Sequence, residues 1–293
     1  MLSSIEIHGG QVVYDLIGPT DGTPVVLTPG GRFDMNIPGL RPLAERLVAE
    51  GMRVLLWDRP NSGSSDVQFW GRSESHMRAE VLSELLRRLD LAPAVLAGGS
   101  SGARDSLITV IEHPEVASGL VMWNVSGGNF ALLRLGGLYI INPLVALNEK
   151  GVDGLAELPH WRGLIETKPG NLDRLRELGP GSLREVLMRW LDAYVPKPGQ
   201  TIPGLLDQEL EGITTPTLII RGGERDLDHP KRTSLEVGCL IRGSVVADPP
   251  WPEDAWERHV EAAARGKGHV FDYWPLAAPL ITEFVRKSLT DSD

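Results

Sequence analysis

Glycines surround two serines at the end of an apolar run, Ala94-Val95-Leu96-Ala97-Gly98-Gly99-Ser100-Ser101-Gly102. Gly98, Ser100 and Gly102 have the spacing G-x-S-x-G. A serine on a sharp strand-to-helix turn occupies strained backbone, and only small neighbours avoid colliding with the strand and the helix. The following helix would aim its first N–H groups and its positive dipole end at the serine. Glycine and serine also fill ordinary turns, so these five residues alone do not separate a nucleophile from a tight turn. A serine hydroxyl reacts only with a base beside it, and the base needs an orienting acid. With all three, the chemistry is acyl transfer.

Candidates for both partners lie downstream. The apolar run in TPTLIIRGGERDLDHP ends at Gly222 and Gly223, and Asp226 follows before Pro230. A carboxylate just past a strand end reaches the crevice where reactive groups collect in an open α/β sheet. Asp226 is therefore the expected acid, with Glu224 and Asp228 as nearby alternatives. Of seven histidines, His269 lies in the glycine-rich stretch RGKGHVF, after Ser100 and Asp226 in chain order. It is the expected base, and His259 is the runner-up. His8, His76, His113, His160 and His229 receive no role.

The elements that must hold these groups alternate. SSIEIHG and QVVYDLIG read as two short strands around a Gly9-Gly10 turn, and TPVVLTPGG, RVLLWDRP, the run Ala94 to Ala97 and SGLVMWNVS as further strands. Between them, Pro38 to Gly51 and Glu74 to Leu89 carry apolar residues at helical spacing, with Gly51 placed as a cap. Buried strand alternating with amphipathic helix gives a mostly parallel sheet covered on both faces. The rhythm breaks after Ser126. Residues 127–211 read as helical, and Leu183, Val186, Leu187, Trp190 and Tyr194 form a stripe. The division expected is one α/β core, 1–126 with 212–293, and an inserted helical segment, 127–211.

Taken in order, these features resemble the α/β-hydrolase family over nearly the full length. LTPGG resembles that family's oxyanion turn, with Pro29 where histidine is common, and WDRPNSGSSD resembles its D-x-x-G-x-G-x-S segment. The order Ser, Asp, His also matches. The resemblance implies an eight-stranded sheet, a helical cap, Ser100, Asp226 and His269 as catalytic residues, and the backbone N–H groups of Gly31 and Ser101 as oxyanion donors. It implies no metal or organic cofactor. The stretch 249–268 before His269 is longer than in many relatives.

Composition sets the outer bounds. The 293 residues carry a net charge of −10 with dispersed lysines and arginines, which argues against nucleic acid or an anionic membrane as partner. No basic-then-apolar leader is seen at the start, so the expected location is cytoplasmic. No membrane span is expected, since the most apolar window, Phe130 to Leu147, is interrupted by Arg134, a Gly-Gly pair, Asn142 and Pro143. The single cysteine, Cys239, excludes an internal disulfide and reads as a small buried group. The expected partner is a small-molecule substrate, and a homo-oligomer is left open. Arg32, Arg104, Trp123, Arg189, Trp190 and Val270 are candidates for the substrate pocket. The reaction expected first is ester or lactone hydrolysis. The alternatives are C–C hydrolysis of a ring-fission product, weakened by Val270 where those relatives carry tryptophan, and small-molecule binding with slow or no turnover.

Overall fold

The computed structural model describes residues 2–290, with side chains up to Lys287. Eight strands form one sheet: β1 (Ser3–Ile7), β2 (Gly10–Ile17), β3 (Pro24–Thr28), β4 (Arg53–Trp57), β5 (Ala94–Gly99), β6 (Ala117–Trp123), β7 (Thr217–Ile220) and β8 (Val245–Ala247). Their order across the sheet is β1-β2-β4-β3-β5-β6-β7-β8. The β1–β2 and β2–β4 pairs are antiparallel and all later neighbours are parallel. This is the mostly parallel α/β sheet expected from the alternating pattern.

Helices α1 (Leu40–Ala49), α2 (Glu74–Arg88) and α3 (Ser101–Glu112) connect the first six strands. Between β6 and β7 come α4 (Gly128–Gly136), α5 (Asn142–Glu157), α6 (Pro159–Thr167), α7 (Gly170–Leu191) and α8 (Asp207–Glu211). The chain closes with α9 (Lys231–Leu240), α10 (Ala255–Ala264) and α11 (Ala278–Thr290). The boundaries have local causes. Gly51, at φ 87°, ends α1 and donates its N–H to Val48 O at 2.9 Å. Ser73 starts α2, its Oγ accepting the His76 N–H at 3.2 Å.

Alternation along the strands divides the core. Val26, Leu55, Trp57 and Leu96 face α2, α3 and α9, while Val25, Leu27, Val54, Leu56 and Val95 face α1 and α11. A third apolar cluster joins Leu135, Ile140, Leu155, Trp161, Leu183, Leu187 and Trp190 of the inserted helices to Val67, Phe69 and Met77 beneath them. The stripe on α7 is therefore a packing surface.

Two expectations change. The interruptions between Phe130 and Leu147 do not stop the helix, because a π-helical turn, Gly137–Ile141, joins α4 to α5 ahead of Pro143. Residues 128–157 form a 30-residue helical segment, kinked at Gly151 (φ 63°, ψ −149°), and an 18-residue window of it reaches a mean hydropathy of 1.7, apolar enough by length and composition to cross a bilayer. Its Leu135, Ile140 and Leu147 are buried in the third cluster. Cys239 is exposed on α9 rather than buried, because it lies on the face of that helix turned away from Val237.

Candidate active site

β5 ends at Gly99 and α3 begins at Ser101, so Ser100 alone makes the turn. It does so at φ 57°, ψ −121°, a region that side chains other than glycine rarely occupy. Its N–H is held by Trp123 O at 3.1 Å, and its C=O accepts the Arg104 N–H at 3.3 Å. The glycines follow from contact. A Cβ on Gly102 would lie 2.2 Å from Thr28 O, and one on Gly98 would lie 2.5 Å from the Gly102 backbone. The elbow is thus wedged between β3 and its own helix, with the hydroxyl facing outward.

The hydroxyl meets His229. Ser100 Oγ lies 2.9 Å from His229 Nε2, and His229 Nδ1 lies 2.9 Å from Asp226 Oδ2. With the proton on Nδ1, the imidazole donates to the carboxylate and accepts from the serine. Asp226 and His229 are each only 2% exposed. Asp226 Oδ1 also accepts the backbone N–H groups of Asp228 at 3.0 Å and His229 at 2.9 Å. One carboxylate therefore folds the loop after β7 and orients the ring on that loop. The edge of Trp256, from α10, packs against the His229 ring with centroids 4.6 Å apart. Ser126 Oγ, from the loop after β6, is 3.4 Å from Ser100 Oγ.

This corrects the expectation for His269, and His259 is not beside Ser100 either. The His269 ring packs against Phe33 and Phe271 at 5.0 and 5.4 Å, and the His269 backbone N–H donates to Asp272 Oδ2 at 2.7 Å. Its carbonyl faces His259 Nδ1 at 3.2 Å. Burial lowers its pKa from the ordinary histidine value. The physical reason lies in the two loops. The stretch 249–268 forms α10, which brings Trp256 onto His229, while the turn after β7 already delivers a histidine to the serine. The sequence held a usable signal: an Asp and a His three residues apart, just past a strand end, share one turn. Among the alternatives for the acid, Glu224 pairs with Lys231 and Asp228 with Arg134 Nε at 2.7 Å, so neither meets His229.

Opposite the elbow, Gly31 follows β3 at φ 53°. The N–H groups of Gly31 and Ser101 have no hydrogen-bond partner among the described residues. Arg59 sets both loops. It donates to Gly30 O at 3.2 Å, Gly31 O at 2.9 Å and Phe33 O at 3.2 Å, and to Ser101 Oγ at 3.0 Å. Asp105 Oδ2 accepts from the same guanidinium at 2.9 Å, and both side chains are fully buried. Ser101 Oγ in turn donates to Gly31 O at 2.7 Å.

Ser100 and His229 open into a cleft of about 580 Å³ whose walls include Phe33, Phe130, Leu138, Leu227, Trp256 and Val270. Val270 is the candidate for the pocket that lines this cleft. The other candidates for the pocket are not among its lining residues. Trp123 is buried behind Gly99, edge-on to Trp274 at 5.2 Å. Trp190 stacks on Phe69 at 5.4 Å inside the third cluster, and Arg189 lies exposed with its Nε on Gly71 O. Arg32 donates to Glu74 Oε2 at 3.1 Å and to Tyr139 O at 3.0 Å. Burial alone would raise the Glu74 pKa, but Arg32 and Arg78 hold it down at about 2. Arg104 donates to Ser75 Oγ at 2.9 Å and to Tyr194 Oη at 2.8 Å. Protein partners occupy these guanidinium groups, which is the usual fate of a buried charge.

No family model matches the chain. It is 29% identical over 149 residues to the 2-hydroxy-6-oxononadienedioate/2-hydroxy-6-oxononatrienedioate hydrolase of Escherichia coli K12, covering 51% of this chain and 49% of that protein. It is 27% identical over 217 residues to a protein of Streptomyces coelicolor named "Probable proline iminopeptidase", covering 69% of this chain and 63% of that protein. The chain thus matches about half to two thirds of the length of these curated relatives. Among solved structures, the enol-lactonase from Burkholderia xenovorans LB400 superposes with a TM-score of 0.61 at 18% identity, covering 98% of this chain and 100% of that one.

Proposed function

Since the chain is an α/β hydrolase in fold, we propose that it is a serine hydrolase that cleaves a carboxylic ester or lactone of a small, largely apolar substrate. The observation that carries this reading is the relay at the open cleft, Ser100 Oγ to His229 Nε2 at 2.9 Å and His229 Nδ1 to Asp226 Oδ2 at 2.9 Å. Ser100 Oγ attacks the carbonyl carbon while its proton passes to His229 Nε2. Asp226 fixes the tautomer and stabilises the imidazolium. The carbonyl π pair moves onto oxygen, facing the free N–H groups of Gly31 and Ser101, which act as the oxyanion hole. His229 then protonates the leaving oxygen, and water, activated by the same imidazole, releases the acid from Ser100. The inserted helices act as a cap. Their Phe130 and Leu138, with Phe33, Leu227 and Val270, give an apolar wall suited to an alkyl or aryl group.

Cleavage of a C–C bond in a ring-fission product has less support. The Escherichia coli relative bears such a name, but Arg32 and Arg104, two of the arginines considered for a substrate carboxylate, are bonded to protein groups and do not line the cleft. The test is turnover by wild type and Ser100→Ala on p-nitrophenyl esters, lactones and a vinylogous 1,5-diketo acid. Loss of about 10³-fold or more in the variant on an ester or lactone is expected. Turnover confined to the diketo acid would install the C–C reading. Equal rates for both proteins would remove Ser100 from the chemistry.

A further inference from the structure

Tyr139 is a polar side chain that the inserted helices bring to the oxyanion loop. It stands in the π-helical turn Gly137–Ile141, a local widening of the helix. Its hydroxyl lies 3.6 Å from the point that a Cβ on Gly31 would occupy, and it lines the cleft that holds Ser100 and His229. The hydroxyl has no hydrogen-bond partner among the described residues. A half-buried phenol with an empty donor, aimed at a catalytic cleft, calls for an explanation.

The surroundings hold the ring in place without using its hydroxyl. Pro143 has no N–H to offer the Tyr139 carbonyl four residues earlier, and Arg32 donates to that carbonyl instead, at 3.0 Å. The same guanidinium lies over the Tyr139 ring, 5.0 Å from its centroid, and is anchored by Glu74. Arg32 directly follows Gly31. The residue that fixes the tyrosine and the residue that offers the backbone N–H are therefore neighbours in one loop, and their spacing is set by a single peptide unit.

We propose that Tyr139 is a further catalytic residue, whose hydroxyl donates a third hydrogen bond to the carbonyl oxygen as it gains charge, beside the N–H groups of Gly31 and Ser101. This rests on the serine-hydrolase reading above. The bond order of the step is unchanged by it: Oγ–C forms, the π pair moves to oxygen, the serine proton goes to His229, and Tyr139 keeps its own proton. Burial, and Tyr194 beside it, raise the Tyr139 pKa above the ordinary phenol value, so the group stays a donor at neutral pH. Arg32 becomes a positioning residue, acting through the tyrosine.

Tyr139→Phe keeps the ring and its contact with Arg32 and removes only the donor. With p-nitrophenyl acetate and butyrate, kcat is expected to fall about 10²-fold, the usual loss for one oxyanion donor, with KM within about three-fold of wild type. Affinity for a trifluoromethyl ketone, which forms a tetrahedral oxyanion on the serine, is expected to fall in parallel while Tm holds. Wild-type kcat in Tyr139→Phe, together with an inactive Ser100→Ala, overturns this inference alone. A rise in KM at unchanged kcat, or a fall in kcat with undiminished ketone affinity, also overturns it. Undiminished turnover by Ser100→Ala overturns the serine reading and the inference together.

Discussion

Ser100 holds a backbone conformation that costs about 1–3 kcal/mol in a residue with a side chain. What over-determines it is the close packing of Gly98 and Gly102 against their neighbours, so an alanine at Gly102 would meet Thr28 O and collapse the turn. The base is the other decision made at this scale. His229 lines the cleft and combines a carboxylate on Nδ1 with a serine on Nε2, whereas His269 is not among the lining residues. His229→Ala is therefore expected to cost ester turnover about as much as Ser100→Ala, since members of a relay act as a unit. His269→Ala is expected to stay within about three-fold in kcat, because its ring serves the aromatic contacts with Phe33 and Phe271. Steady-state kinetics on one chromogenic ester decides between them, and the reverse pattern would return the role to His269.

At the scale of elements, one buried guanidinium joins the β3 loop to α3, beside the direct bond from Ser101 Oγ to Gly31 O. Arg59, at the end of β4, ties three carbonyls of residues 30–33 to Ser101 and Asp105 on α3. Burial and the neighbouring Arg78 bring its pKa down to about 10, which leaves it charged at neutral pH. A hydrophobic isostere of a whole ion pair is often tolerated, but removing one partner strands the other. Arg59→Met leaves the Asp105 carboxylate buried without its closest cation. It is expected to lose about 3–5 kcal/mol of stability in urea denaturation, with kcat falling as the two loops lose their common donor. The double variant Arg59→Met, Asp105→Leu is expected to recover stability but not kcat.

For the whole molecule, acid is the weak direction. His76 on α2 and His160 on α6 are each lowered to a pKa of about 3, chiefly by burial, with Arg72 next for His76 and Arg32 next for His160. Below the unfolded value of 6.5 the unfolded chain takes up protons that the folded chain refuses, so stability drops as pH falls from about 6.5 to 3. Glu74, held at about 2, loses its contribution as pH falls below the unfolded value of 4.5. Asp58, raised to about 6 mainly by burial, acts in the opposite sense between 3.8 and 6. Two histidines with larger shifts outweigh it. Tm by circular dichroism is thus expected to fall steadily from pH 6.5 to 3. His160 bonds Asn61 O from the inserted helices, so His160→Gln is expected to flatten the slope. An unchanged slope would show that the ring is already charged in the folded protein.

The sequence by itself determined the sheet and the place of the candidate elbow, and it narrowed the carboxylate to Asp226, with Glu224 and Asp228 as alternatives. Short continuous apolar runs bounded by turn residues and alternating with helices bury as central strands of a parallel sheet, G-x-S-x-G after such a run fits one sharp turn, and Asp226 lies just past a strand end. Gly51 stopped its helix because positive φ there suits glycine. Tertiary structure decided which histidine meets Ser100, although the Asp226–His229 spacing carried a signal, and it alone decided the pocket walls. Chain order ranks His229 and His269 alike after Asp226, and only the packing of α10 and the turn after β7 separates them. Likewise Arg32, Arg104 and Trp190 are as well spaced for a ligand as for a core. Their assignment waited on Glu74, Tyr194 and Phe69, which reach them from far along the chain.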